Sequence, residues 1–519
     1  MSEPRIARAL LSVADKTGLA ELALRLSRAG VELVSTGKTR EALLQAGVAA
    51  RPIEDLSGFP EILDGRVKTL HPAIHGAILA RRDLAAHQEQ LARHAIAPID
   101  LVVVNFYPFE KTVAQPQVAL EEAIEQIDIG GPTLVRAAAK NFAHVTVLSD
   151  PADYPGFMAE FDAGAGAVSA AGRFALARKA FARVAVYDAA IANFLSSRGP
   201  QSAAVLGESF SLSLSRALSL RYGENPHQQA ALYGDFLRLA EPLHGKELSF
   251  NNVLDINSAI HLMLDFSDRR EAVVAILKHN TPCGVALGAS LKEAWDKALA
   301  TDPDSPFGGI VITNRPWDLE LARAVDELFT EVLIGPDFAP AVFDFLRRKK
   351  NRRLVRLHPE AARRDELDLK RVLGGLLVQT PDLSLEEPRL GRVVTRRAPT
   401  EAEFEALGFG LRVCKHVKSN AVVFAAADRT IAVGAGGTSR IDPLHAACEK
   451  AKRVGLPVSG SVLASEAFFP FPDGPALAAQ AGATAIVQPG GAVRDAEVIA
   501  EADARGLAMV FTGVRHFRH

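Results

Sequence analysis

Four short β-branched runs, Ala9 to Val13, Val31 to Ser35, Leu101 to Phe106 and Val145 to Ser149, alternate with helical patterns in the first part of the chain. Strands separated by helices cannot close as hairpins, so the pattern demands crossover connections and a parallel α/β sheet. The spacing predicts helices over Leu19 to Ala29 and Glu121 to Gln126, and a long alanine-rich helix over Gly172 to Leu195. From Ser196 the chain reads SSRGPQSAAVLGES, small and polar as a linker would be. A boundary near residue 200 follows, dividing 1–198 from 199–519. The second part mixes strands and helices less regularly. Two of its portions look like related layers, Ala272 to Leu287 with Gly308 to Thr313 and Ala421 to Gly436 with Ala483 to Val487, which reads as an internal duplication.

At 519 residues the chain exceeds one hydrophobic core, and about 150 residues per domain predicts three or four structural units. Nearly half the residues are apolar and the net charge is −2, so neither nucleic acid nor an anionic membrane is an expected partner. Cys283, Cys414 and Cys448 are odd in number and far apart, without a Cys-x-x-Cys pair, which argues against disulfides and against structural zinc. No apolar run is long enough for a signal peptide or a membrane span, and a cytoplasmic address is expected.

In the first domain the polar motifs fall where strands end: Ser12 and Asp15-Lys16-Thr17-Gly18, Ser35-Thr36-Gly37-Lys38-Thr39, then Asn105 and Tyr107-Pro108. Ligands of open parallel sheets bind at those ends, where helix N-termini offer free N–H groups to a phosphate. STGKT is not a nucleotide-triphosphate P-loop, because the first glycine of that motif would fall at Glu32. DGRVKTLHPAIHG sets Arg66 and Lys68 two apart, on one side of an extended backbone, before a His71-Pro72 step held in β or polyproline conformation. That arrangement would hold an anion; a solvated basic turn is the alternative. Asp128-Ile129-Gly130-Gly131-Pro132-Thr133 leads into a helix carrying Arg136 and Lys140 at i,i+4, like charges that repel unless an anion lies between them. A solvated basic face explains that helix as well.

In the second domain Lys278-His279-Asn280-Thr281-Pro282-Cys283-Gly284 follows the apolar run AVVAIL, so Lys278 and His279 emerge at a strand end with a proline-glycine turn after them. The neighbouring ammonium disfavours a second positive charge, which keeps the imidazole in the neutral form a general base needs. His279 and Cys283 lack the partners of a zinc site. Arg221-Tyr222-Gly223-Glu224-Asn225-Pro226-His227 has the composition of a binding loop, and Asn420, Gly434 to Arg440, Phe468 to Asp473 and the final GVRHFRH add further polar and aromatic groups. GAGGTS lacks the third glycine of a dinucleotide fingerprint.

SVADKTGL, STGKT, GRVKTLHPAIHG, NFYPF, IDIGGPTLVRAAAKN, RYGENPHQ, KHNTPCG, SPFGGI, VCKHVKSNAV, GAGGTSRID, EAFFPFPDG and TGVRHFRH occur in this order across essentially the whole chain. The sequence thereby resembles the bifunctional purine-biosynthesis enzymes that join IMP cyclohydrolase to AICAR transformylase. The resemblance implies a methylglyoxal-synthase-like parallel sheet domain, and a transformylase domain with two cytidine-deaminase-like layers that lack zinc. It implies formyl transfer from 10-formyltetrahydrofolate to AICAR, then dehydrative ring closure of formyl-AICAR to IMP. It further implies a homodimer, and leaves room for a potassium ion.

Carried over residue by residue, the resemblance puts Lys68, Tyr107, Asp128 and Lys140 at the cyclohydrolase chemistry, with Ser12, Lys16, Thr36, Gly37, Arg66, Thr69 and Asn105 around the nucleotide. Lys278 and His279 match the transformylase pair, Arg221 and Tyr222 the AICAR-binding loop, and Gly308, Asn420, Arg440, Phe469, Asp473 and Arg515 further substrate contacts. The chain departs from the family pattern at Lys38, Arg40, the residues after Lys278-His279, Gly437 and Pro472. Lys38 and Arg40 keep open a single-activity transformylase whose first domain binds a nucleotide without turnover. A non-catalytic nucleotide-binding regulator would leave two sets of proton-transfer groups idle.

Overall fold

Strands β1 (Arg8–Val13), β2 (Glu32–Ser35), β3 (Arg51–Pro52), β4 (Leu101–Asn105) and β5 (Thr146–Leu148) form one sheet in the order β3-β2-β1-β4-β5, with every pair parallel. This computed structural model describes residues 3–115, 118–196, 206–364 and 366–519. Successive side chains leave opposite faces of a strand. Leu10, Val34, Val102 and Val147 therefore enter one core while Ala9, Leu11, Leu33, Val103 and Leu148 enter another. Burial on both faces is why these strands read as unbroken apolar runs rather than alternating ones. The expected helices occur as Leu19–Arg28, Leu120–Glu125 and Ala170–Ser196. The edge strand Arg51–Pro52 gave no apolar signal, and an edge is where a sheet tolerates proline.

The chain divides into two units, residues 1–215 and 216–519, rather than three or four. The boundary placed between 198 and 199 lies outside the described residues. A hairpin, β6 (Arg216–Leu220) and β7 (Ala230–Tyr233), opens the second unit. Next come β8 (Ala240–His244), β9 (Ala272–Lys278), β10 (Thr281–Gly288), β11 (Gly309–Thr313), β12 (Thr330–Gly335) and β13 (Arg353–Leu357), in the order β10-β9-β11-β12-β13-β8. After a second hairpin, β14 (Asp368–Val372) and β15 (Gly375–Gln379), the strands β16 (Arg392–Val393), β17 (Val422–Ala425), β18 (Thr430–Gly434), β19 (Val462–Ser465), β20 (Ala485–Gln488) and β21 (Ala508–Phe511) repeat the plan as β18-β17-β19-β20-β21-β16.

Strand directions agree position by position, with an antiparallel hairpin at one edge, two parallel pairings and an antiparallel strand at the other edge. The duplication is therefore present, with one correction. The counterpart of Gly308 to Thr313 is β19, not Ala483 to Val487, because β11 and β19 each pair antiparallel with the first hairpin strand of their sheet. Ala483 to Val487 is equally apolar, and hydropathy alone cannot rank neighbours in a buried sheet. The two sheets share one core, which takes in Ile256, Ile260, Leu407 and Leu411 from the helices Phe250–Leu264 and Glu401–Cys414. That shared core makes the repeats one unit. The edge strands β10 and β18 meet along a seam, where Val285 N–H donates to Thr430 Oγ1 at 3.0 Å and Leu287 N–H to the Asp428 carbonyl at 2.7 Å.

Candidate functional site

In the first unit the carboxyl ends of β1, β2 and β4 bring the expected groups together. Ser12 Oγ and Thr36 Oγ1 are 2.9 Å apart, and Thr36 precedes the helix Gly37–Gln45, whose N-cap side chain makes no capping bond. Lys16 Nζ folds back on the Val13 carbonyl at 2.5 Å; burial, and then the charge of Lys38, lower its pKa. Burial raises the Asp128 carboxyl, against the Gly131 and Tyr107 N–H groups and the Lys68 charge, which lower it. The Gly131 N–H donates to Asp128 Oδ1 at 2.8 Å. A Cβ at residue 131 would lie 2.5 Å from Asp128 Oδ2, so only glycine fits there. Burial and the Asp128 charge raise the Tyr107 phenol. A cation, a phenol and a carboxylate that is more readily protonated than usual thus lie within electrostatic reach of one another, with Thr69 buried beside Gly130.

Four residues sit differently from expectation. Arg66 and Lys68 do not project together, because an Ile62–Val67 bridge curls the backbone between them: Arg66 has helical dihedrals and pairs with Glu125, while Lys68 faces Glu61 at 3.8 Å. Asn105 spends its amide on the neighbouring loop, accepting from Ala14 N–H at 2.6 Å and Asp15 N–H at 2.8 Å and donating to the Asp15 carbonyl at 2.9 Å. It shapes the loop. Lys140 ends the helix Gly130–Lys140, and a rise of 1.5 Å per residue sets it roughly 15 Å from that helix's start, where Asp128 lies. Arg136 on the same helix lies over the Phe181 ring at 5.8 Å, so no anion is needed between the two cations.

In the second unit Lys278 ends β9, and its Nζ donates to the Phe307 carbonyl at 2.9 Å, beside Gly308. The turn is not proline-glycine. His279 and Asn280 themselves form it, at φ 52° and 63°, and Thr281 already pairs with Lys278 across the hairpin. Two positive φ values in a two-residue loop make a type I′ hairpin, whose twist matches the strands it joins. Lys278, His279 and Cys283 line a cavity of about 620 Å³ whose far wall is Gly434, Ala435 and Lys450. Burial pushes the Cys283 thiol up to about 12, so it is no nucleophile. Arg221 lies over the Tyr222 ring at 4.7 Å, and both act electrostatically on Arg353, itself 3.6 Å from Glu331.

On the second sheet, Asn420 Oδ1 accepts from Arg440 at 2.7 Å, and Arg440 also pairs with the fully buried Glu466. Asp473 is exposed at the start of the helix Asp473–Ala481, and Arg515 lies over the Phe517 ring at 4.2 Å. Phe469 is not at the surface, where a substrate contact was expected: it is fully buried, against Gly474. Its neighbours Phe468, half-buried, and Phe471, exposed, are the rings of that loop within reach of a ligand.

Residues 138–450 match the AICARFT/IMPCHase bienzyme family and residues 18–133 an MGS-like domain. The "Bifunctional purine biosynthesis protein PurH" of Chloroflexus aurantiacus is 55% identical over all of both chains. Those of Chlorobium chlorochromatii, over all of both chains, and Acidithiobacillus ferrooxidans, over 99% of each, are 50% and 49% identical. The chain belongs to this bienzyme family. Within that frame, four residues near the sites carried no sequence signal of their own. Glu61 faces Lys68 from an ordinary turn, and Glu466 lies in an apolar segment. Tyr187, on the long helix, donates to the Gln126 carbonyl and accepts from Asp128 N–H at 2.8 Å, so it braces the Asp128 loop. Asp255 reaches the His279 turn from the helix Phe250–Leu264. A folded backbone, not spacing, brings these four to their sites.

Proposed function

We infer that the chain performs two successive reactions of purine biosynthesis, formyl transfer to AICAR and closure of formyl-AICAR to IMP. The similarity to PurH proteins from end to end, at 55% identity, carries this reading. In the first reaction 10-formyltetrahydrofolate is the co-substrate. The 5-amino nitrogen of AICAR attacks the formyl carbon, the bond to the folate nitrogen breaks, and the amine proton must leave. That amine is a poor nucleophile because its lone pair is delocalised into the imidazole, so removal of its proton needs help. His279 takes the proton, and Lys278 stabilises the developing oxyanion. Arg221, Tyr222 and Gly308 hold AICAR, with Asn420, Arg440, Asp473, Arg515 and the Phe468 ring as further contacts.

In the second reaction the carboxamide nitrogen attacks the formyl carbon and water leaves. Lys68 polarises the formyl oxygen, and Asp128 and Tyr107 move the protons. Ser12, Lys16, Thr36, Gly37 and Thr69 receive the phosphate, and Arg66 joins them on leaving Glu125. Lys38 acts electrostatically on Lys16 and Tyr107 and adds positive charge to the site. Lys140 reaches this chemistry only from a second copy of the chain. A homodimer is supported by the β14–β15 hairpin, which exposes Leu373 fully and Leu377 at 59%; a monomeric mass in solution at micromolar concentration would remove it. Among the described residues no group of three or more His, Cys, Asp or Glu could hold a metal ion, and no helix is long and apolar enough to cross a membrane. The three free cysteines support a reducing, cytoplasmic setting.

Incubation with AICAR and 10-formyltetrahydrofolate should yield IMP, and accumulation of formyl-AICAR alone would favour the single-activity alternative. A fragment of residues 1 to about 200 should cyclise formyl-AICAR without folate. A folded but inactive fragment would count against the boundary or against independent action of the first unit.

A further inference from the structure

His279 depends on backbone geometry that its own side chain does not favour. A non-glycine residue at positive φ is strained, and such strain persists only where the surroundings over-determine it. The helix Phe250–Leu264 supplies those surroundings. It is anchored by a reciprocal cap: Ser249 Oγ accepts from Asn252 N–H at 3.1 Å, and Asn252 Oδ1 accepts from Ser249 N–H at 3.2 Å. Asn252 Nδ2 also donates to Glu331 at 3.0 Å, which ties the start of the helix to β12. Asp255 and Ser258, three apart and so on one helical face, reach the hairpin. Asp255 Oδ1 accepts the Asn280 N–H at 2.6 Å, and Ser258 Oγ donates to Asn280 Oδ1 at 3.3 Å. Asn280 is thereby gripped at backbone and side chain.

We propose that Asp255 is the positioning residue of the transformylase site, fixing the His279 ring by clamping the His279–Asn280 turn from the side away from the substrate. The inference rests on the reading of His279 as the general base. Burial raises the Asp255 carboxyl, opposed by the Asn280 N–H and then by the His279 charge.

Formyl transfer by the full-length protein tests this, with cyclisation of formyl-AICAR in the other unit as the control for folding. Asp255→Ala should lower the transfer kcat by about 10- to 100-fold, the scale of a small misplacement of a catalytic group, with the KM for AICAR changed less than about threefold. Asp255→Asn keeps an oxygen for the Asn280 N–H and should recover most of that loss, and it stands in if the alanine variant does not fold. In a His279→Ala background, Asp255→Ala should cost nothing further, because no ring is left to position. An unchanged kcat in Asp255→Ala, an asparagine variant as slow as the alanine one, or full additivity of the two losses would each overturn the proposal. His279→Ala measured alone separates the two readings. Near-normal transfer there removes the base itself, whereas a slow His279→Ala beside a normal Asp255→Ala removes only the clamp.

Discussion

Replacing His279 with alanine should lower formyl-transfer turnover by about 10²- to 10⁴-fold, the usual worth of a positioned acid-base group, with AICAR affinity and cyclisation little changed. The structure sharpens the contrast with a core histidine. Its ring is exposed and makes no hydrogen bond among the described residues, so removing it opens no cavity and breaks no side-chain hydrogen bond. The expected stability cost is small, within about 1 kcal/mol, because histidine and alanine both pay for the left-handed backbone. A core histidine would instead cost roughly 1 to 3 kcal/mol, with activity lost in step with folded protein. Turnover, AICAR binding and melting temperature measured on one preparation decide between them. A stable His279→Ala protein with near-normal transfer would falsify the assignment.

Lys68→Ala or Asp128→Ala should reduce IMP formation from formyl-AICAR by about 10²- to 10⁴-fold, leaving formyl transfer within about twofold, since the two sets of residues lie in different units. Asp128 is the more telling of the two. Burial keeps its carboxyl easier to protonate than an ordinary aspartate, as suits a group that must both accept and release a proton. An equal fall in both activities would show that the substitution acted through folding. Mixing Lys140→Ala with Asp128→Ala chains adds a second arm: mixed dimers that regain cyclisation place Lys140 across a subunit boundary, and no recovery withdraws it from the reaction.

The parallel sheet of the first unit was legible because both of its faces are buried, so the strands stand out as apolar runs of the right length. The strand ends were legible for the same reason, and with them the positions of Ser12, Lys16 and Thr36 beside β1 and β2. Side-chain direction was not. Arg66 and Lys68 have the spacing of a clamp, yet the Ile62–Val67 bridge sends one to Glu125 and the other toward Glu61. Phe469 and Phe468 are indistinguishable by composition, and only the position of Gly474 against one ring decides which is core. The His279–Asn280 turn was hidden because Thr281-Pro282-Cys283-Gly284 has the look of a turn, while in the fold it is an edge strand with a bulge between Pro282 and Gly284. Asp255 lies too far along the chain from His279 for any local pattern to join them.

The seam between β10 and β18 bears on aggregation. Each is the outermost strand of its sheet and each is apolar, with Val285, Ala286 and Leu287 on one side and Ile431, Ala432 and Val433 on the other all buried. An apolar rim of that kind, left open, recruits strands from other chains. Here the two rims close on each other, partly through the hydroxyl of Thr430, so duplication has supplied each layer with its own protective cover. The two repeats are therefore held together by this seam as well as by their shared core. A chain carrying either repeat alone would expose that apolar edge, and it is expected to aggregate rather than to fold as a smaller enzyme.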